Sequence, residues 1–558
     1  SPPPLNGRAQ VNETGMRPCR LWLKGHCGIS CNKNEMGNRK ASAPLTKGEM
    51  MRAMRIAFSC VSVLCLVAGA AAADPQVAPL GDRLEVVWDM DRVAQMDNLR
   101  LTLHPPKLRE VAIVHDKPWE GNVCCYHTVF KDGGLYRMYY RGANWNGKPT
   151  HPELVCYAES DDGIVWRKPE LGLVAFAGST ANNIVWDRLG SHNFAAFRDA
   201  NPDCPPDQKY KALGNDGSAK AGLIAFASPD AVRWRMLRPE PVITKGAFDS
   251  QNIAFWDAEK KRYVACFRDF RKSGTGTGVR AIKTCMSADF MNWTEPEWLT
   301  YEAGTKEEEL YTNAILPYPR APRVYVGFPK RFVPTRTAPW DASGGGGIPG
   351  LSDGLFMSSR DGRRFKRWGQ AFLRPGLQRE RWVNRNNMIA WGLVDTEPEF
   401  PGAPREISLY STENYYAKTA SRLRRMTMRQ DGFVSAQADE KGGALTTKPL
   451  TFSAQKGETL LLVNLSTSVP GELRCEIRDE AGKPIPGFTL AECQPLYGDG
   501  VELPVAWKKG ADVGTLAGKA IALRFELRDA DLFAYRFGRP DVPPVSAGTS
   551  SQRAAARP

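Results

Sequence analysis

SDDGIVW (Ser160–Trp166), SPDAVRW (Ser228–Trp234), SADFMNW (Ser287–Trp293) and SRDGRRF (Ser359–Phe365) are four copies of one pattern, S-x-[DE]-x-x-x-aromatic. A degenerate fifth copy, STENYY, begins at Ser411, and successive copies start 68, 59, 72 and 52 residues apart. Each follows a short strand-like run: LVCYAE, LIAFA, AIKTCM, GLFMS and ISLY. A small hydroxyl followed by an acid bonds backbone amides and makes a tight turn. The aromatic then packs back between strands, which is the Asp-box type of hairpin. A motif recurring at such intervals marks a repeat architecture.

Two further strand-like runs precede each copy. The nearer set reads GLYRMYYRG, QKYKALG, KRYVACFRD and PRVYVGF. The earlier set opens on asparagine: NVCCYHTVF at Asn122, NFAAF at Asn193, NIAFW at Asn252, NAILPY at Asn313 and NMIAWGLV at Asn387. Turn signals such as Lys131-Asp132-Gly133-Gly134 separate the runs. With a strand after the aromatic, each unit has four strands, and five units make a five-bladed β-propeller. A sandwich or a set of small β domains would lack a motif at this spacing. The five asparagines are expected to ring the propeller axis. From Gly442 to Phe537 the runs TLLLVNLS, ELRCEIRD, PVAWK and AIALRFELRDADLFAYRF alternate between Gly/Pro turns, which predicts an antiparallel β-sandwich. The fold class is therefore all-β, with a propeller over residues 74–440 and a sandwich over 441–537. The Pro-, Ser- and Ala-rich stretch 538–558 reads as a disordered tail.

The chain's 558 residues exceed one ordinary domain, and its 42% apolar content fits a globular body rather than a disordered or collagen-like chain. The net charge of +14 is uneven: residues 1–73 hold ten Lys/Arg against three Asp/Glu. Elsewhere the signs are mixed, and no basic run carries interleaved aromatics, so nucleic acid is not an expected partner. Residues 50–73, MMRAMRIAFSCVSVLCLVAGAAAA, have a basic start, an apolar run and an A-x-A site before Asp74, the pattern of a secretory signal. The run is too short to span a bilayer, so no stable membrane insertion is expected after cleavage. Residues 1–49 are expected to add no structure, and the protein is expected in the periplasm or outside the cell. Eight cysteines follow Asp74, at spacings of no known disulfide framework, and buried thiols are as well supported as bridges.

No H-E-x-x-H, C-x-x-C or Walker loop occurs after residue 73, and no cofactor or metal is expected. His115, His127 and His192 read as structural, hydrogen-bonded histidines before they read as ligands. The carboxylates say more. Inner strands of a propeller converge on its axis, so acids just before them meet at one mouth. Such acids are Asp116 and Glu120 in HDKPWEGN, Asp249 in FDSQN, and Glu307, Glu308 and Glu309 in KEEELYTN; Asp269 and Asp353 lie at strand ends. Glycoside cleavage needs one acid to protonate the leaving oxygen and another to attack or activate water. Trp119, Trp145, Tyr311, Trp382 and Trp391 offer rings to stack on sugars. Around them His192, Gln251, Arg268 and Asp269, with Asn122, Asn193, Asn252, Asn313 and Asn387, are candidate sugar-binding groups. For any one of these acids a solvated turn is the plainer reading, and their coincidence across units carries the argument.

At these residues the chain resembles the five-bladed-propeller glycoside hydrolases, families 32 and 43 in outline, over about residues 80–440. The C-terminal sandwich is similar to the one that accompanies family 32. FDSQNIAFWDAEKKRYV looks like the family 32 segment in which Arg-Asp-Pro precedes an apolar strand. The resemblance puts Asp249 in the transition-state-stabilising place and Glu308 or Glu309 in that of the general acid. It puts Glu120 in the first-blade position, where the family has Asp in an Asn-Asp-Pro-Asn-Gly motif that is absent here. On this reading Glu308 carries a raised pKa, because three adjacent acids repel one another's charge. The implied activity is glycosidic hydrolysis of an oligo- or polysaccharide. A non-catalytic carbohydrate-binding or scaffold propeller is the alternative. A sialidase is a third reading, weakened because no arginine triad stands out.

Overall fold

The computed structural model describes residues 77–215, 222–272, 278–338 and 350–540. The signal-like segment, the residues before it and nearly all of the tail fall outside these ranges. The described chain is almost wholly β, with three short 3-10 turns as its helical elements. Four antiparallel meanders follow the repeat, each with its first strand nearest the next in sequence. The first is Cys125–Asp132, Leu135–Gly142, Leu154–Ser160 and Ile184–Trp186; the second is His192–Arg198, Tyr210–Asn215, Ile224–Ser228 and Arg235–Met236. The third is Ile253–Asp257, Arg262–Lys272, Gly278–Ser287 and Glu297–Trp298. The fourth is Leu316–Tyr318, Ala321–Gly327, Met357–Ser359 and Arg364–Arg367, with Thr300–Tyr301 added in parallel on its edge. A fifth sheet, Val394–Thr396, Glu406–Glu413 and Arg422–Arg429, takes its last strand, Lys107–Val114, from far earlier in the chain.

Contacts run from each meander to the next and return to the first. Asn193 Nδ2 of the second donates to Ser250 O at the start of the third, at 3.1 Å. Asn313 Nδ2, entering the fourth, donates to Cys266 O of the third at 3.2 Å. Trp391 Nε1, entering the fifth, donates to Ile315 O at 2.9 Å. Val129 N of the first donates to Trp391 O at 2.8 Å, which closes the circuit. That last approach is tight enough to require a glycine. A Cβ on Gly392, at φ +126°, would lie 1.8 Å from Val129 O.

The four good copies of the repeat build the same turn. In the third, Ser287 Oγ donates to Asp289 at 3.0 Å, and Asp289 Oδ1 accepts from Met291 N and Asn292 N at 2.9 and 2.8 Å. Asp162, Asp230 and Asp361 accept in the same way. Burial alone would raise these carboxyl pKa values, but the backbone N–H bonds outweigh it, and Asp289 falls to about 2. The turn's contribution is therefore present above the unfolded value of ~3.9 and lost as pH falls toward 2. Asp289→Ala should cost about 1 kcal/mol locally, seen as roughly fivefold faster amide exchange at Met291 and Asn292. Unchanged exchange there would show that the strands alone hold the turn. The fifth copy departs from this pattern. Ser411 to Glu413 lie inside a strand, where buried Glu413 pairs with Arg422 and Arg424.

In the C-terminal region eight strands are linked in one hydrogen-bonded network, and Ala78–Gly81 pairs with Leu450–Phe452 as a separate two-stranded sheet. The network's longest strands, Leu460–Arg478 and Ala522–Gly538, shift register at Asn464/Leu465 and Thr467/Glu472. Such breaks bend a sheet, and here the bends accompany a core that includes Leu461, Phe488, Trp507 and Phe525. Glu85–Val86, Val93–Asp97 and Arg100–Leu103 pair into this network, as does Val434–Ala438. These segments thus lie outside the propeller body to which the sequence reading gave residues 74–440. Buried Trp88 joins the two parts: its Nε1 donates to Asp431 O at 3.0 Å, and its ring packs on Tyr318, Phe356 and Phe433. All eight cysteines of the described residues are free thiols, and seven are buried.

Candidate functional site

The first strand of several meanders opens on a left-handed residue: Tyr126 at φ 57°, Asn193 at 55°, Ala314 at 42° and Asn387 at 59°. Asparagine tolerates this region; tyrosine and alanine pay roughly 1–2 kcal/mol for it. In the first two meanders a register break follows, between Cys125 and Thr128 and between His192 and Ala195. These breaks match Tyr126, not Asn122, to Asn193 in the strand register. Asn122 sits four residues earlier, donating to Trp145 O and Ala417 O at 3.0 Å each. Asn252 donates to Phe248 O and Ser250 O, and Asn387 to Ser352 O and Arg381 O. The asparagines thus hold backbone at the crowded strand starts.

Above these starts lies a cluster of aromatics and cations. The Tyr311 ring faces Lys330 Nζ at 3.8 Å and the guanidinium groups of Arg268, Arg280 and Arg385 at 5.1, 5.4 and 5.8 Å. Arg141 lies over Tyr126 at 5.1 Å and donates to Tyr415 Oη at 2.8 Å, and Arg385 donates to the same oxygen at 3.0 Å. Burial opposes ionisation of Tyr311, yet Arg385, Arg268 and a hydrogen bond with Tyr126 bring its hydroxyl below the ordinary value.

Three carboxylates from different parts of the ring serve these arginines. Asp249, 40% exposed at the side chain, pairs with Arg268 through Oδ1. Glu309 Oε2 accepts from both Arg280 N and Arg280 Nη1 at 3.0 Å. Glu153 meets Arg141 with Oε1 at 3.0 Å and His192 Nδ1 with Oε2. Burial pushes the Glu153 pKa upward, but Arg141 and His192 prevail and hold it at about 2. Unpartnered buried polar atoms accumulate here: Ser250 Oγ, Gln251 Oε1, Lys330 Nζ, and Nε of Arg268, Arg280 and Arg385. Buried polar groups are ordinarily satisfied, so a local excess of unsatisfied ones points to a ligand site.

Of the residues expected from sequence, the structure gathers Asp249, Glu309, Arg268, Tyr311, His192 and Asn193 at this cluster. Gln251 forms part of its base, donating to Tyr126 O and His127 O at 3.2 and 3.0 Å. Glu308 and Asp353 sit on the other face of a small sheet formed by Glu309–Leu310, Lys330–Val333 and Leu351–Gly354. Lys330 and Phe332 turn to Tyr311, so Arg331 between them turns away. Arg331 there joins Glu308 at 2.9 Å to Asp353 at 2.6 Å. Burial raises the Asp353 pKa, with Arg331 opposing. For Glu308, burial is outweighed by Arg367 and Arg331, and its pKa is lowered, the reverse of the expected raised value. Glu308→Gln leaves Arg367, 2% exposed, short of its carboxylate. A loss of about 2–4 kcal/mol in stability is expected, and the wild-type advantage is itself lost as pH falls through the lowered Glu308 pKa. Denaturant unfolding at pH 7 and pH 3.5 measures both; a variant as stable as wild type at pH 7 would contradict the pairing.

Glu120 is fully buried elsewhere, bonded to Tyr140 Oη and Lys168 Nζ at 2.5 Å each. Trp119 belongs with it, donating to Asn183, which donates to Tyr140 Oη. His115 and His127 stand 3.0 Å apart in this buried group; burial lowers the His115 pKa to about 4 and also holds that of His127 well below the usual histidine value. Asp269 pairs with Lys283 at 2.7 Å. Trp382 donates to Gly376 O, and Trp391 is buried between meanders. The string Gly350–Gly354 matches G-x-S-x-G, but Ser352 is a buried strand residue whose Oγ donates to Asn386 O at 2.9 Å.

Sequence reasoning missed Arg141, Glu153, Arg280, Lys330, Arg385, Tyr126 and Tyr415. A usable signal was charge inside otherwise apolar strands, as in MYYRG and GFPKRF.

No family model matches the chain. Uncharacterised proteins from two strains of Mycobacterium tuberculosis, CDC 1551 / Oshkosh and ATCC 25618 / H37Rv, are each 29% identical over 164 residues. The match covers 28% of this chain, which spans about half (50%) of the length of these curated relatives. Similar solved structures include a glycoside hydrolase at TM-score 0.40 and 15% identity, covering 58% of this chain and 92% of that one. An N-acetylgalactosamine deacetylase from F. plautii scores 0.38 at 12% identity, over 59% and 95%. A fructofuranosidase from Schwanniomyces occidentalis scores 0.34 at 10% identity, over 77% and 99%. Scores and identities of this order speak to neither activity nor substrate.

Proposed function

We propose that this protein is a carbohydrate-active enzyme that hydrolyses a glycosidic bond at the Tyr311 cluster, with Asp249 and Glu309 as the reacting carboxylates. One observation carries the reading. Both acids are oriented by arginines over the same Tyr311 ring, and the bonds described occupy only one oxygen of each. A second oxygen is what a carboxyl needs to give a proton, to attack, or to activate water. Glu153, by contrast, spends both oxygens on Arg141 and His192, and is a positioning residue. Tyr126, Tyr311 and Tyr415 supply the apolar faces on which sugar rings stack. The signal-like segment supports a periplasmic or external site of action on oligo- or polysaccharides.

A non-catalytic sugar-binding role is the second reading. It is favoured by the ion pairing of all three cluster acids, which opposes a carboxyl held protonated near neutral pH. A panel of aryl glycosides, a sialoside among them, and of plant and algal oligosaccharides separates the two. Hydrolysis of at least one member is expected. Saturable binding with no bond cleaved would leave the binding role.

A further inference from the structure

Lys330 is fully buried, and its Nζ has no hydrogen-bond partner among the described residues. The group it faces is the Tyr311 ring, shared with Arg268, Arg280 and Arg385. Asp249 serves Arg268 and Glu309 serves Arg280, while Arg385 meets the neutral Tyr415 hydroxyl. Arg141, which also bonds Tyr415, is served by Glu153. With Lys330 protonated, the five cations face three carboxylates. The Nε atoms of Arg268, Arg280 and Arg385 are buried donors without acceptors among the described residues. A site with surplus positive charge and unpaired N–H donors suits an anionic acceptor.

We propose that the Lys330–Arg385–Arg268–Arg280 cluster is a subsite for an oxyanion: a carboxylate or sulfate on the sugar, or a free phosphate or sulfate beside it. Buried Lys211, by contrast, meets its own carboxylate, Asp199, at 2.5 Å. The rim admits a ligand, because Asp249 is 40% and Arg280 25% exposed at the side chain. Planar guanidinium groups match oxyanions in paired hydrogen bonds, and the ammonium adds a point charge beneath them. The sugar as the source of the anion rests on the carbohydrate reading; the oxyanion itself does not.

The cluster also predicts a proton signature. Burial first, then Arg385, Arg280 and Arg268, push the Lys330 pKa well down, with Cys125 opposing; Tyr311 lies against the same ammonium. An oxyanion reverses this field, so binding should take up a proton.

Calorimetric titration of the full chain with galacturonate, inorganic phosphate and sulfate tests this, with galactose and ionic-strength-matched chloride as controls. At least one oxyanion should bind where galactose and chloride do not. Lys330→Met and Arg385→Met should each weaken it by about tenfold or more. Heats in two buffers of different ionisation enthalpy should show proton uptake in wild type and none in Lys330→Met. Binding by galacturonate alone places the charge on the sugar; binding by phosphate or sulfate alone identifies a free inorganic anion. No oxyanion binding beyond chloride, or equal binding by both folded variants, overturns the subsite. Oxyanion binding without hydrolysis of any glycoside would remove the hydrolase reading and leave the subsite standing. Hydrolysis of a neutral glycoside with no oxyanion binding would do the reverse.

Discussion

Asp249→Asn and Glu309→Gln should each lower glycoside turnover by about 10²–10⁴-fold, the usual worth of a positioned acid or base. Both changes keep the side-chain shape and can still accept a hydrogen bond from Arg268 or Arg280, so the fold should survive. What is lost is the oxygen that the arginines leave free. The two variants should differ on activated substrates. A dinitrophenyl leaving group needs no proton, so the variant lacking the general acid should recover most of its rate there. The variant lacking the nucleophile or base should not, unless azide replaces the missing group. Loss in one variant and wild-type turnover in the other would leave a single catalytic carboxylate and send the search to Glu153. Wild-type turnover in both would remove this site from the chemistry.

The repeat was legible because its information is local. Ser287, Asp289 and the N–H groups they bond lie within six residues, and turn chemistry alone identifies them. The strand-opening asparagines were legible for four meanders because the left-handed or crowded backbone there suits that side chain. At the first meander Tyr126 takes the place, and the nearby Asn122 misled. The acids show how one residue decides a face. Glu308 and Glu309 are adjacent, yet the strand's alternation sends Glu309 to Arg280 and Glu308 to Arg331 and Arg367. No property of the EEE run reveals that choice.

The cationic cluster was illegible for a different reason. Arg141, Arg280 and Arg385 read as the polar half of alternating strands or as loop residues, and their convergence comes from ring closure. That closure pairs Lys107–Val114 with Arg422–Arg429, more than 300 residues later. Non-local pairing of this kind leaves no local periodicity to find. The same holds for Glu85–Leu103, whose partners lie in the C-terminal sheet.

Lys330→Met should stabilise the folded protein by about 1–3 kcal/mol at pH 7, the cost of a buried polar group without a partner. Methionine has similar length and packs on Tyr311 without a charge to desolvate. The sign with pH follows from linkage. The folded Lys330 pKa lies well below the usual lysine value, for burial and the three arginines favour the neutral amine. Between that lowered value and ~10.4 the unfolded chain binds the extra proton, so this group's contribution to stability rises with pH. The charge-dependent part of the penalty is greatest below the folded pKa and vanishes above ~10.4, where the amine is neutral in both states. Denaturant unfolding of wild type and Lys330→Met from pH 6 to pH 10 should therefore show the variant's advantage shrinking as pH rises. A saturating oxyanion should also shrink it, because it binds, and so stabilises, the chain that retains its lysine more strongly. A variant that is less stable at pH 7, by a margin independent of pH, would mean that Lys330 has a charge partner in the folded protein. The oxyanion-subsite reading would then fail with it. The expected pattern instead makes Lys330 a residue kept at the expense of stability for what it binds.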